Sequence, residues 1–291
     1  MRIPLGTAPR VPAPVYFGVS AIFHYLGPAF AVLLFVRVDV LGVAWLRIAS
    51  AAVVFALWRK PWRLFRKLTA EQRWVLLGLG AVLAAMNSTF YLAISRLPLA
   101  TVGAIEFLGT IVLAAIGVRT GRNAIALLLA VVGVVALTDV QLAGEPLGFV
   151  LAFVNCALFT LYVVLGHRIA NTGDGPSGVD QLGAAMLIAA VVATPFCVAA
   201  AAPAFTDPTA LLAGIGVGIC SSVVPYVIDQ FAMARLRRGT FALLLSILPA
   251  VATVIGVVVL AQIPTISELI GIALIAGSVA IHQERRKAEE D

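Results

Sequence analysis

Ten stretches of about 20 residues in this chain are long enough and apolar enough to cross a bilayer, and they fall into two groups of five. Hydrocarbon offers no hydrogen bonds, so a segment that enters it must satisfy its own backbone, and apolar runs of this length read as transmembrane helices. A mean hydropathy of +1.05 with only 12% charged residues exceeds what a soluble core of 291 residues needs. The sequence therefore predicts an all-α membrane protein. Five is an odd number, so the second group should enter the membrane from the opposite side, as in secondary transporters built from inverted repeats.

The predicted spans are 14–36, 40–58, 74–95, 99–118 and 123–140, then 146–166, 181–202, 209–233, 240–261 and 266–282. Short connections with Pro, Gly or charge separate them. No extramembrane stretch exceeds roughly 15 residues, which excludes a soluble catalytic or nucleic-acid-binding domain. Arg2 and Arg10 precede an apolar run from Val15 to Val36 that superficially resembles a signal peptide; without a small-residue cleavage site ahead of a soluble domain, it is expected to be the first span.

The net charge of +6 reflects topology rather than an acidic partner. With the N-terminus in the cytoplasm, 17 of the 20 basic residues fall on the inner side and only Arg37 and Arg96 on the outer, Arg47 lying within a span. This bias predicts a multi-pass protein of the cytoplasmic membrane with both termini inside. Cys156, Cys197 and Cys220 lie in apolar spans without metal-ligand spacing and read as buried thiols, not a disulfide framework.

An internal repeat is visible. Residues 90–118 align with 229–257 at a constant offset of 139, with eight identities in 29 positions, among them Arg96/Arg235, Thr101/Thr240 and Gly117/Gly256. The first copy's turn carries one arginine and the second three, as opposite insertion requires. The expected division is 1–140 and 141–291, one five-helix repeat each. Gly214 and Gly218 form a small-xxx-small pair, and Gly271 and Gly277 line another span, positions that let helices approach closely.

An ionisable group inside a span is expensive, and each raises a functional question. Glu106 and Arg47 lie at a common depth near the midplane. They could pair as structural glue, or face a polar cavity with Glu106 handling a proton or ammonium and Arg47 a carboxylate; Arg47 could equally snorkel outward. Asp229 could be solvated near the inner interface or serve as a second proton or substrate site, and Asp139 reads as wet. His24 suits a hydrogen bond to a neighbouring helix or a substrate contact, while His167 and His282 read as interfacial. Asn87, Ser88, Asn155, Ser221 and Ser222 could line a path or bond between helices. Pro28, Pro195, Pro225 and Pro249 each free a carbonyl about one turn back; at Pro225 and Pro249 that suits a hinge or binding site as well as simple packing.

Residues 86–109, MNSTFYLAISRLPLATVGAIEFLG, resemble the third and fourth spans of EamA-type transporters in the drug/metabolite transporter superfamily, most nearly the threonine/homoserine exporter-like subgroup. The likeness returns at Ser221–Tyr226 and from Arg238 to Ala250, and its order and spacing run through nearly the whole chain. It implies ten helices in two inverted five-helix repeats around a central pathway. Glu106 and Phe107 then occupy the family's acidic "EF" motif, and Pro225 with Tyr226 its eighth-span motif. This chain departs from the pattern at Thr110, where the family has proline, at Leu248, where it has an acid, and at Ala261-Gln262, where it has Gly-Glu.

The reading that follows is a secondary transporter exporting small amino acids, threonine- or homoserine-like, or related metabolites, by proton antiport. The pathway residues expected are Glu106, Arg47, Asp229, His24, Asn87, Tyr226, Pro225 and Pro249. The partners implied are a small-molecule substrate, protons as coupling ion and the lipid bilayer, with no nucleic acid, cofactor or metal; a homodimer is compatible with this. An uptake carrier or facilitator is the alternative, with an intramembrane lipid-modifying enzyme or a scaffold further behind. Metal clusters, Gly-x-Ser-x-Gly elbows and ATP-binding loops are missing from the sequence, so an enzyme or direct ATP-driven pump is not expected.

Overall fold

The computed structural model describes residues 13–66, 68–109, 112, 120–138, 145–170, 178–233 and 248–281. Among these residues there is no strand. The principal helices are α1 (Ala13–Leu34), α2 (Val40–Arg59), α3 (Trp62–Phe65), α4 (Ala70–Ile94), α5 (Leu99–Glu106), α6 (Gly121–Thr138) and α7 (Pro146–Ala170). They continue as α8 (Gly178–Cys197), α9 (Ala202–Thr206), α10 (Pro208–Gly218), a π-helical turn (Ile219–Val223), α11 (Val224–Met233), α12 (Leu248–Leu260) and α13 (Ile266–Ile281). Each predicted span contains at least part of a helix. Among the described residues, five helices are long and apolar enough to cross a membrane, and four apolar helices are shorter. Residues 139–144, where the expected halves divide, lie outside the described residues, as do Asp139, His282 and 240–247 of the ninth span.

Local chemistry sets the helix ends. Thr69 and Gln72 form a capping box at α4, each side chain accepting the other's backbone N–H. Asp207 caps α10, with Pro208 at the first helical position where a missing N–H costs nothing. At the end of α12, Ala261 takes the left-handed conformation (φ 54°) and donates its N–H to the Val257 carbonyl.

Helices from the two ends of the chain interleave: α4 lies along α7 and α8, α2 along α8 and α10, and α6 along α13. Missing side chains permit the closest approaches. A Cβ at Gly214 would meet Leu46, one at Gly218 the Arg47 backbone, and one at Gly133 the Gly271 carbonyl. Gly277 faces open space. Two buried apolar clusters fill the interior, one around Tyr25, Tyr91 and Ile105, the other around Phe55, Leu76 and Leu83. Large apolar side chains such as Val191, Phe196, Leu212 and Val258 cover the outside, where a soluble protein would place polar ones.

Links between helix ends follow one order. Arg37 pairs with Asp207 at 3.1 Å, Arg96 with Glu145 at 3.5 Å, and the Leu99 N–H donates to Gln262 Oε1 at 3.1 Å. Arg59 pairs with Asp180 at 2.7 Å, and Arg122 Nε donates to the Ile281 carbonyl at 2.7 Å. On the predicted alternation of ten spans, the first three links join ends expected on one side and the last two join ends expected on the other. The exposed ion pairs add little stability; their value here is that they fix which ends are neighbours. All three cysteines are free thiols.

Candidate functional site

Two polar groups sit inside the bundle, one built on a broken helix and one on the end of α5. The first begins at the π-helical turn between α10 and α11. Here Val224 donates its N–H to Ile219, five residues back. Pro225 follows and has no N–H to give, so a carbonyl about one turn earlier loses its helical donor. The Ser221 carbonyl turns instead to Arg47, accepting from Nη2 at 3.4 Å, while Ser222 Oγ accepts from Nε at 3.0 Å. The Arg47 guanidinium also lies 5.3 Å from the centre of the Tyr91 ring. Gly27 lets α1 approach: a Cβ there would come within 2.9 Å of the Ser221 nitrogen. Ser20 Oγ donates to the Pro225 carbonyl at 3.2 Å, tying α1 to the same broken helix.

The second group centres on Glu106, the last residue of α5, which is 6% exposed. Asn155 on α7 donates from Nδ2 to Glu106 Oε1 at 3.1 Å. Tyr25 lies over Gly103, where a Cβ would fall 3.0 Å from the tyrosine hydroxyl; Gly103 and Glu106 are three apart and share a face of α5. His24, the neighbour of Tyr25, makes edge-on contacts with Tyr25 and Tyr226, with ring centres 5.4 Å and 6.3 Å apart.

Arg47 and Glu106 do not form the direct pair that their common depth suggested. Among the described residues neither has an opposite charge within 4.0 Å. Arg47, 5% exposed, does not snorkel either; it reaches from α2 to the π-helical turn between α10 and α11. Each buried charge is held by neutral dipoles, and in a low-dielectric interior such a charge leaves much of its desolvation cost uncompensated. Among the described residues, three buried side-chain polar atoms also lack a hydrogen-bond partner: the Tyr25 and Tyr91 hydroxyls and Asn155 Oδ1. The Tyr91 hydroxyl has Arg47 and Ser221 nearby without meeting hydrogen-bond geometry to either. An unsatisfied buried group costs about 1–3 kcal/mol, so each of the three calls for a partner.

The other expected pathway residues fall differently. Asn87 lies one turn before Tyr91 on the same face of α4, but its Nδ2 donates to the Leu83 carbonyl of its own helix at 2.7 Å. Pro249 is buried near the start of the described part of α12, and its carbonyl accepts from Thr253 Oγ1 at 2.8 Å. Asp229 lies in α11, and its side chain and that of His167 are outside the described residues. Tyr25 and Tyr91 were not singled out in the sequence. The available signal was a phenol inside an apolar span, which normally seeks a partner. Among the described residues no cluster could hold a metal.

Two cavities lie away from these groups. One of about 240 Å³, where α5 starts and α12 ends, is lined by Thr101, Thr253, Gln262 and Glu268. An apolar groove of about 460 Å³ runs between α1 and α10, with Arg37 at its rim.

The EamA-like transporter family profile matches residues 146–282. The threonine/homoserine exporter RhtA of Escherichia coli (strain K12) is 34% identical over 258 residues, covering 87% of this chain and 85% of its own. RhtA of Salmonella typhimurium (strain SL1344) is 33% identical over 261 residues, with the same coverage. A crystal structure of a protein 19% identical superposes with a TM-score of 0.58 over 92% of this chain and 95% of that one, a likeness that carries the fold alone.

Proposed function

The chain belongs to the EamA-like transporter family, and from that premise we propose that it exports small amino acids of the threonine/homoserine type, or related metabolites, in exchange for protons. Its ten spans form two inverted five-helix halves, 1–140 and 141–291, in the cytoplasmic membrane with both termini inside. The end-to-end links support this arrangement, since each joins ends that strict alternation assigns to one side.

The observation that carries the mechanism is Glu106, buried and hydrogen-bonded to a neutral amide, with no cation within 4.0 Å among the described residues. Such a carboxylate accepts either a proton or a substrate ammonium. It cannot hold both, and that exclusivity couples their movements in opposite directions. Arg47 supplies the complementary charge for a substrate carboxylate. Its hydrogen bonds to Ser221 and Ser222 span the two halves, so a rocking motion that alternately exposes the midplane would remake them. His24 and Tyr226 border the same region; Asn87, Asp229 and Pro249 lie further along the proposed path.

Reconstitution into liposomes loaded with L-threonine tests this. Imposing a pH gradient is expected to accelerate efflux from wild type. Glu106→Gln is expected to keep the wild-type Tm and lose the response to the gradient. An unchanged pH response in a folded Glu106→Gln protein would remove Glu106 from coupling.

A further inference from the structure

The unpartnered buried atoms say what kind of group this site accepts. Tyr25, Tyr91 and Asn155 have no exposed surface, yet the two hydroxyls and Asn155 Oδ1 make no hydrogen bond. Asn155 spends Nδ2 on Glu106, which leaves Oδ1 of the same carboxamide as a second acceptor beside the carboxylate. Tyr25 stands over the face of α5 that bears Glu106. Two adjacent acceptors, one of them charged, are complemented by a group that donates in several directions and carries positive charge. A primary ammonium, with three N–H donors, has that form. Water could occupy the acceptors singly but would not balance the buried charge.

We infer that Asn155 and Tyr25 determine specificity for a primary amine: the Glu106 carboxylate and Asn155 Oδ1 take the substrate ammonium, and the Tyr25 hydroxyl bonds the polar group next to it. The inference rests on the transporter reading and adds what the transporter selects. It also explains why the phenol and amide are left incomplete in the unliganded bundle. The substrate supplies the missing donors.

Binding of L-threonine and N-acetyl-L-threonine to the purified full-length protein in nanodiscs, measured by calorimetry, tests this directly. Wild type is expected to bind L-threonine at least about ten-fold more tightly than the acetylated probe, the scale of one charge-assisted hydrogen bond. Asn155→Leu is expected to collapse that ratio towards one, whereas damage to the fold would weaken both probes together. Tyr25→Phe is expected to weaken L-threonine binding by about three- to ten-fold. It should leave the unliganded Tm unchanged or raised, because it deletes a hydroxyl that has no partner in that state. Equal affinity of wild type for the two probes, no binding of L-threonine at all, or a ratio untouched by Asn155→Leu would overturn the inference. So would a Tyr25→Phe protein with lowered Tm and unaltered affinity. L-Threonine bound selectively but never moved across liposomes would defeat the transport reading and leave the ammonium site standing. Transport of N-acetyl-L-threonine as fast as L-threonine would do the reverse.

Discussion

Gly216 and Gly218 lie two residues apart on α10, and the same substitution at each is expected to have opposite effects. A Cβ at Gly216 meets nothing within 4 Å, whereas one at Gly218 meets the Arg47 carbonyl oxygen at 2.7 Å and the Arg47 Cα at 3.1 Å. Carbon–oxygen contact needs roughly 3.3 Å, so Gly218→Ala must drive α2 and α10 about 0.6 Å apart. Ser222 sits one turn beyond Gly218 on the same face, and its 3.0 Å bond from Arg47 Nε would stretch towards about 3.6 Å, which is no longer a hydrogen bond. Both variants gain the same helix propensity, about 0.8–1 kcal/mol. Only Gly218→Ala carries the overpacking cost, about 1–3 kcal/mol. Gly216→Ala should therefore raise Tm by about 2–4 °C, and Gly218→Ala should lie about 2–10 °C below it. Threonine efflux should fall only in the Gly218 variant, because Arg47 is displaced. Thermal unfolding in detergent and efflux from liposomes, run in parallel, make the comparison. Equal Tm values within about 1 °C and equal efflux would refute the claim that α2 and α10 touch at the Arg47 backbone.

Ala261→Gly is expected to stabilise the protein. An L-residue in the left-handed conformation costs about 1–2 kcal/mol, the extra freedom of glycine in the unfolded chain returns about 0.4–1 kcal/mol, and the net gain of roughly 0.5–1 kcal/mol should appear as a small rise in Tm; a fall would show that the turn does not need this φ. Asp207 supplies a pH test outside the membrane. The Ala210 amide, with the Arg37 guanidinium and the Thr209 amide, holds its carboxyl below the usual carboxylate range. A depressed value stabilises the folded state above the unfolded pKa and loses that contribution as pH falls through the folded one. The Tm gap between wild type and Asp207→Ala should accordingly stay constant from about pH 7 to 5 and narrow below about pH 4; a gap unchanged at lower pH would contradict it.

Hydrophobic length was decisive in the sequence because the bilayer imposes it from outside. A run such as 40–58 has one stable solution in hydrocarbon, and helix α2 is that solution whatever its neighbours do. Glu106 was legible for the same reason: a carboxyl in an apolar span stands out by cost alone. Pro225 was legible as a break in hydrogen bonding because the missing N–H is a covalent fact.

What those residues meet is another matter. Equal depth suggested that Arg47 and Glu106 pair, but depth is one coordinate, and rotation about two helix axes sets whether side chains face each other. Packing at Gly214 and Gly218 turned Arg47 to the π-helical turn, 174 residues away in sequence. Asn155 stands in the sequence as one of several uncharged candidates for a path, and Tyr25 as an ordinary aromatic residue in its span. Only the assembled bundle brings one against Glu106 and lays the other over Gly103, leaving an amide oxygen and a phenol without partners. The sequence by itself thus determined that the chain is helical, immersed in lipid and burdened with a buried acid, since each is a property of a segment against its solvent. The tertiary structure alone decided which groups surround that acid, since contacts between distant segments depend on how helices rotate and pack, and no period along one helix records it.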